Sequence, residues 1–137
     1  APVLLELADG VVAGNTTRAR EGLPARAAGL EGGLSGSPLK AAATRLVRRV
    51  FRATSGRLPI IGVGGISSAG DAFEKILAGA SLVEVYTGLV YRGPGLTREI
   101  NEGRARLLAE RGFKSVAEAV GAEAALPGAE AKEAALR

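Results

Sequence analysis

Three short stretches carry residue types suited to holding a phosphorylated, planar ligand: Gly14-Asn15-Thr16, Gly64-Gly65 and Tyr86-Thr87. Each closes a run of β-prone residues, and in parallel α/β proteins ligands sit at the carboxyl ends of strands. A Gly-Gly pair after a strand lets backbone N–H groups come within hydrogen-bonding distance of a phosphate, and the N-terminus of a following helix adds partial positive charge. The same pair is equally an ordinary tight turn. Gly65 and Thr87 lie one βα unit apart, as two neighbouring strand ends gripping one phosphate would. Asn15 brings a donor and an acceptor and Thr16 a hydroxyl, enough to hold a carbonyl-rich small molecule; an Asx-type turn would use the same Asn15 atoms. Gly32-Gly33-Leu34-Ser35-Gly36 offers backbone amides to a ligand or merely links two elements.

The elements that must position these residues follow from the pattern between them. Leu4 to Ala8 reads as the end of a helix and Asp9 to Thr17 as a first strand. A long loop then reaches Ser37, and loops of that length are more often functional than not. Pro38 suits a first helical position, and Leu39, Ala43, Leu46, Val47 and Val50 mark one face of a helix ending near Gly56. Pro59 to Ile66 is a continuous apolar run of the kind a buried parallel strand shows. Ser68 and Asp71 form a capping-box pair opening a helix with Ala72, Ile76 and Leu77 inward, stopped by Gly79. Ser81 to Thr87 reads as a third strand. Leu96 to about Arg111 reads as a third helix, with Ile100, Leu107 and Leu108 inward and Gly112 as its C-cap, and Ser115 to Glu118 opens one further short helix.

Strand and helix thus alternate three times, which calls for an α/β fold with parallel strands, right-handed crossovers and helices outside the sheet. A complete eight-fold barrel takes about 250 residues, so this chain holds about three of its eight units, unless it builds a small open sheet. Residues 1–121 form the expected body, and the Ala-rich stretch 122–137, with Pro127-Gly128 inside it, reads as a frayed tail.

Composition excludes several kinds of chemistry. The chain has neither Cys nor His, so it has no disulfide framework, no thiol chemistry, no zinc site of the usual kind and no Ser-His-Asp triad. The formal charge of +4 is spread among interleaved acidic residues, and three Phe and two Tyr without Trp give no platform for stacking nucleic acid. No apolar stretch reaches the roughly 18 residues of a membrane span, and Ala1-Pro2-Val3 lacks signal-peptide features, so the chain by itself reads as soluble and cytoplasmic.

Taken in order, Asn15-Thr16-Thr17, Gly32 to Leu39, Pro59 to Ile66, Ala78 to Val83 and Tyr86-Thr87 resemble the quinone-dependent (class 2) dihydroorotate dehydrogenases. The resemblance spans roughly residues 8 to 123, and Gly112-Phe113 with Val116 to Gly121 is similar to the C-terminus of that class. It implies a TIM-type, FMN-binding β/α barrel of which this chain is the C-terminal portion, about strands 6 to 8 with their helices. It implies oxidation of dihydroorotate to orotate in pyrimidine biosynthesis, with a membrane quinone as acceptor and the parent enzyme peripheral on the inner membrane. By that resemblance Gly36, Gly64, Gly65, Tyr86 and Thr87 contact FMN, and Asn15 and Thr16 hydrogen-bond the pyrimidine. The family's proton-abstracting serine, its flavin-side lysine and its quinone-tunnel helices would precede Ala1. No catalytic base and no metal ligand is therefore expected in this chain, and Ser35 and Ser37 belong to the glycine loop.

Two positions depart from the family pattern: Gly14 stands where a Thr or similar residue is usual, and Glu84 where a Gln is usual. An unpaired carboxylate inside a strand is costly, so Glu84 is expected to find a basic partner or to sit near solvent. Two further readings remain open on the residues alone. One is another phosphate-gripping barrel enzyme, an isomerase or synthase, against which the Gly-Gly-Leu-Ser-Gly loop argues. The other is a non-enzymatic partial barrel whose uncovered sheet self-associates or is completed by the missing barrel half.

Overall fold

The structure, a computed structural model, describes residues 2–20, 23–24 and 29–124. Three strands, β1 (Val11–Ala13), β2 (Ile60–Val63) and β3 (Leu82–Glu84), form one sheet in the order β1-β2-β3, with both pairs parallel. The helices are α1 (Pro2–Leu7), α2 (Lys40–Thr54), α3 (Ala69–Leu77), α4 (Thr87–Arg92), α5 (Gly95–Glu110) and α6 (Val116–Ala119). The α/β class, the parallel pairing and the order of the main elements agree with the sequence reading.

Strand periodicity divides the sheet into two unlike faces. One face carries Ala13, Ile60 and Gly62, which α2 and α3 cover; Ala13 and Ile60 pack with Val47, Ala78 and Ala80 in one buried cluster. A second cluster joins Ile66 and Ala72 to Leu96 and Ile100, and so ties α3 to α5. A third seats Phe73, Ile76 and Leu77 against Phe113 and Val116. The opposite face has Val12 beside Ile61 and Ile61 beside Leu82, and no helix covers it among the described residues. Val12 is 52% exposed and Leu82 61%.

Capping works as the sequence suggests, with a shift in one leg. Ser68 Oγ accepts from the Asp71 amide at 3.2 Å, but Asp71 returns its carboxylate to the Ser67 N–H and hydroxyl rather than to Ser68. The start of α6 repeats the pattern: the Glu118 amide donates to Ser115 Oγ and the Lys114 amide to Glu118 Oε2. Pro38 lies in a short 3-10 turn, Ser37–Leu39, that leads into α2.

Three expectations are corrected. The strands are shorter than the apolar runs, because Gly14 (φ 137°) turns the chain after Ala13 and the consecutive left-handed Gly64 and Gly65 turn it after Val63. Thr87 opens a helix instead of ending a strand, so α4 precedes the expected α5. Leu46 is 39% exposed, because the buried line runs from Leu39, just before α2, through Ala43 and Val47. Lys75 lies wholly buried on α3 and donates to Thr44 Oγ1 at 3.1 Å. Residues 122–124 continue the packed body, with the Glu123 amide on Leu77 O and Ala124 buried. The rest of the expected tail lies outside the described residues.

Candidate functional site

All three strand ends open onto one cavity of about 320 Å³ above the uncovered sheet face. Gly14, Asn15 and Thr16 line it from β1, Gly64 and Gly65 from β2, Tyr86 and Thr87 from β3, and Ser35 and Gly36 from the glycine loop. Every residue expected to contact cofactor or substrate is therefore at this one cavity. A larger cavity of about 600 Å³ lies on the outer side of the same loop and shares Ser35, Gly36, Ile66, Thr87 and Gly88 with it.

The β2 end is held rigidly. Gly64 has φ 103° and Gly65 φ 71°, a backbone that side chains rarely adopt, and a Cβ on Gly65 would run into the Lys40 backbone. Glycine is thus required here by close packing on α2, whatever the cavity holds. Behind the turn, Lys40 Nζ pairs with Asp71 Oδ1 at 2.6 Å and Glu74 Oε2 at 3.2 Å. Burial works against the Asp71 charge, but the Lys40 ammonium and the Ser67 donors outweigh it and hold the carboxyl down at about 2. The Asp71 contact in turn raises the Lys40 ammonium above its usual range, against a smaller opposing effect of burial. Ser67 is thereby pinned to α3 through Asp71, and through Lys40 to α2.

The β3 end supplies open donors. The first helical bonds of α4 run from the Leu89 and Val90 amides to Tyr86 O, so the Thr87 and Gly88 amides precede them and no side chain caps Tyr86. Thr87 Oγ1 donates to Ser35 Oγ at 2.9 Å, which joins the β3 end to the glycine loop. A Cβ on Gly88 would strike Ile66 O, so this end too is closely packed on its neighbour.

The β1 end is more open. Asn15 and Thr16 are exposed, and Asn15 Oδ1 accepts from the Thr16 amide at 2.7 Å, so the side chain closes a local turn while lining the cavity. Both departures from the expected pattern lie at this level of the uncovered face, on either side of Val63, which pairs with Glu84. Gly14 is glycine because a Cβ would meet Val63 O, and its φ of 137° forbids a threonine in the same backbone. Glu84 is exposed.

Sequence reasoning missed Lys75 and Arg20. Burial lowers the Lys75 ammonium to about 8, against the smaller opposing influence of Glu74 and Asp71. Nothing in a lysine on a surface-length helix signals that; Gly62, whose missing Cβ leaves room for the Lys75 stem, is the local clue. Among the described residues no cluster of acidic side chains could hold a metal ion, and no helix is long and apolar enough to cross a membrane.

Parallel βα units whose strand ends share one cavity, with glycine turns presenting backbone donors, define a ligand-binding β/α enzyme scaffold. Comparison with known proteins makes this particular: the profile described as "Dihydroorotate dehydrogenase" matches residues 4–108, and the chain belongs to that family. A dihydroorotate dehydrogenase (quinone) of Anaeromyxobacter sp. (strain Fw109-5) is 56% identical over 115 residues, which are 83% of this chain and 32% of that protein. One of Deinococcus radiodurans is 53% identical over 114 residues, covering 83% and 31%. The crystal structure of ligand-free DHODH from Eimeria tenella superposes with a TM-score of 0.86 at 41% identity, covering 93% of this chain and 36% of that one. The chain spans about a third of the length of the curated relatives it matches.

Proposed function

We propose that this chain forms the FMN-phosphate and substrate edge of a quinone-dependent dihydroorotate dehydrogenase, as about strands 6 to 8 of a TIM-type barrel. The observation that carries the reading is that the three strand ends and the glycine loop line one cavity. The residues present suit an FMN phosphate. Left-handed glycines bring backbone close to the cavity at Gly36, Gly64 and Gly65, and Thr87 and Gly88 offer amides ahead of the first helical bonds. FMN, when bound, supplies the acceptor for the hydride that leaves dihydroorotate.

In this reading Gly36, Gly64, Gly65, Tyr86 and Thr87 hold the cofactor, while Asn15 and Thr16 orient the pyrimidine through its carbonyl and N–H groups. Asn15 would release the Thr16 amide to do so. We assign no proton-abstracting residue within these 137 residues, so the chain alone is inactive. Quinone is the acceptor of the complete enzyme, which works in pyrimidine biosynthesis as a peripheral protein of the inner membrane. The exposed Val12 and Leu82 favour burial of the open sheet face by the remaining barrel strands or by self-association.

Absorbance spectroscopy of the purified chain, followed by FMN titration, tests the proposal. Weak FMN binding without dihydroorotate oxidation is expected. Failure to bind FMN at millimolar concentration would sink the cofactor assignment, and turnover by the chain alone would sink the assignment of no base. On a sizing column, a clean monomer without flavin would count against assembly through the open face.

A further inference from the structure

Arg20 lies half-buried on the outer side of the loop that joins β1 to α2, away from the 320 Å³ cavity. Its guanidinium reaches backbone carbonyls from both ends of that loop. Nη1 donates to Thr17 O at 3.0 Å and Ala19 O at 3.3 Å; Nη2 donates to Gly32 O, twelve residues on, at 2.6 Å and to Leu30 O at 3.4 Å. Beside this fork, Thr17 and Leu34 exchange both backbone hydrogen bonds, at 3.1 and 2.7 Å.

Those two sets of bonds fix what faces the cavity. Gly33 is pressed against Thr16 so closely that a Cβ there would overlap the Thr16 hydroxyl, and one residue beyond Leu34 the Ser35 hydroxyl receives Thr87 Oγ1. A charge-assisted fork to four carbonyls is stronger than the two neutral backbone bonds beside it. Only a planar guanidinium can serve acceptors on both sides of the loop at once.

We propose that Arg20 is a positioning residue that holds Gly33 against Thr16 and so sets the substrate edge of the site. The geometric claim stands on the bonds above; its bearing on substrate rests on the function proposed for the cavity. Arg20 lines the neighbouring 600 Å³ cavity and not the 320 Å³ one. It acts through Thr17 and Gly32 on the residues next to them.

The test uses the 137-residue chain with Arg20→Lys and Arg20→Ala. The first readout is the nuclear Overhauser contact between the Thr16 methyl and the Gly33 α-protons, together with hydrogen exchange at the Thr17 and Leu34 amides. In Arg20→Ala the contact is expected to vanish and exchange at both amides to rise about tenfold, with core amides of β2 unchanged. Arg20→Lys keeps the charge and loses the fork, so it is expected to follow Arg20→Ala. The second readout is orotate and FMN affinity: orotate is expected to weaken about tenfold in both variants and FMN less than about threefold. A retained Thr16–Gly33 contact in Arg20→Ala, or wild-type behaviour in Arg20→Lys, would overturn the proposal. So would equal losses of orotate and FMN affinity, which mark a general structural role. If the unsubstituted chain binds no orotate, the function proposed for the cavity fails, while the contact and exchange data still decide Arg20.

Discussion

The two ends of the candidate site are built in different ways. At the β2 and β3 ends, Gly65 seats on the Lys40 backbone, Gly88 on Ile66, and Asp71 is fixed by Lys40 and Ser67. At the β1 end, Asn15 and Thr16 are exposed and the loop above them is drawn together by hydrogen bonds from Arg20 and between Thr17 and Leu34. The β2 and β3 ends are thus part of the core, and the β1 end is a surface structure aligned by polar contacts. Substitutions in the first should cost stability, and in the second alignment or affinity.

The largest effect should come from Gly65→Ala. It combines a left-handed backbone with a Cβ driven into Lys40, and strain plus overpacking together should cost about 4 kcal/mol in urea unfolding. Full stability in this variant would show that the β2 end is not braced by α2.

Lys75 offers a pH test of the same core. Its ammonium sits at about 8 in the folded chain against the usual 10.5, so between those values the unfolded state binds more protons and stability rises with pH. The rise should amount to roughly 3 kcal/mol and disappear in Lys75→Met, which keeps the stem without the charge. Asp71 gives an acid limb of the same sign, in which stability again rises with pH. Its carboxyl is held at about 2 against 3.8, so its contribution is present above pH 4 and lost as pH falls toward 2. Asp71→Asn should remove that limb and about 2 kcal/mol at pH 7, read by chemical denaturation at each pH.

Much of this architecture was legible in the sequence, because it rests on local signals. The turn glycines, Pro38, the Ser68 and Ser115 caps and the apolar spacing on α2 and α3 each act over one turn of chain. What escaped depends on distant partners. The segment that forms α4 is six residues long, contains Val90 and Tyr91, and has no side-chain cap at Tyr86, so Tyr86-Thr87 reads as the continuation of a strand. Lys75 is buried by α2 and β2, which its own helix pattern does not disclose. Seven of the residues that line the cavity were legible as strand ends and glycine turns, and the roles proposed for them rest on family resemblance. Arg20 was not, since its acceptors are carbonyls up to twelve residues away in a loop without regular spacing.

The smaller effects sharpen the comparison at its boundary. Thr87→Val removes the hydrogen bond to Ser35 that ties the two ends together, and should cost about 1 kcal/mol of stability. Its effect on ligands should fall more on FMN than on orotate. Asn15→Ala lies wholly within the exposed end: it removes a local bond to the Thr16 amide and should change stability by less than about 0.5 kcal/mol. Calorimetric titration with orotate in the presence of FMN should nevertheless register a large loss of affinity, because the substrate groups that Asn15 would meet are left unpaired. If Asn15→Ala unfolds the chain as readily as Gly65→Ala, the β1 end is as much a part of the core as the β2 end, and the distinction between a braced β2 end and an aligned β1 end collapses.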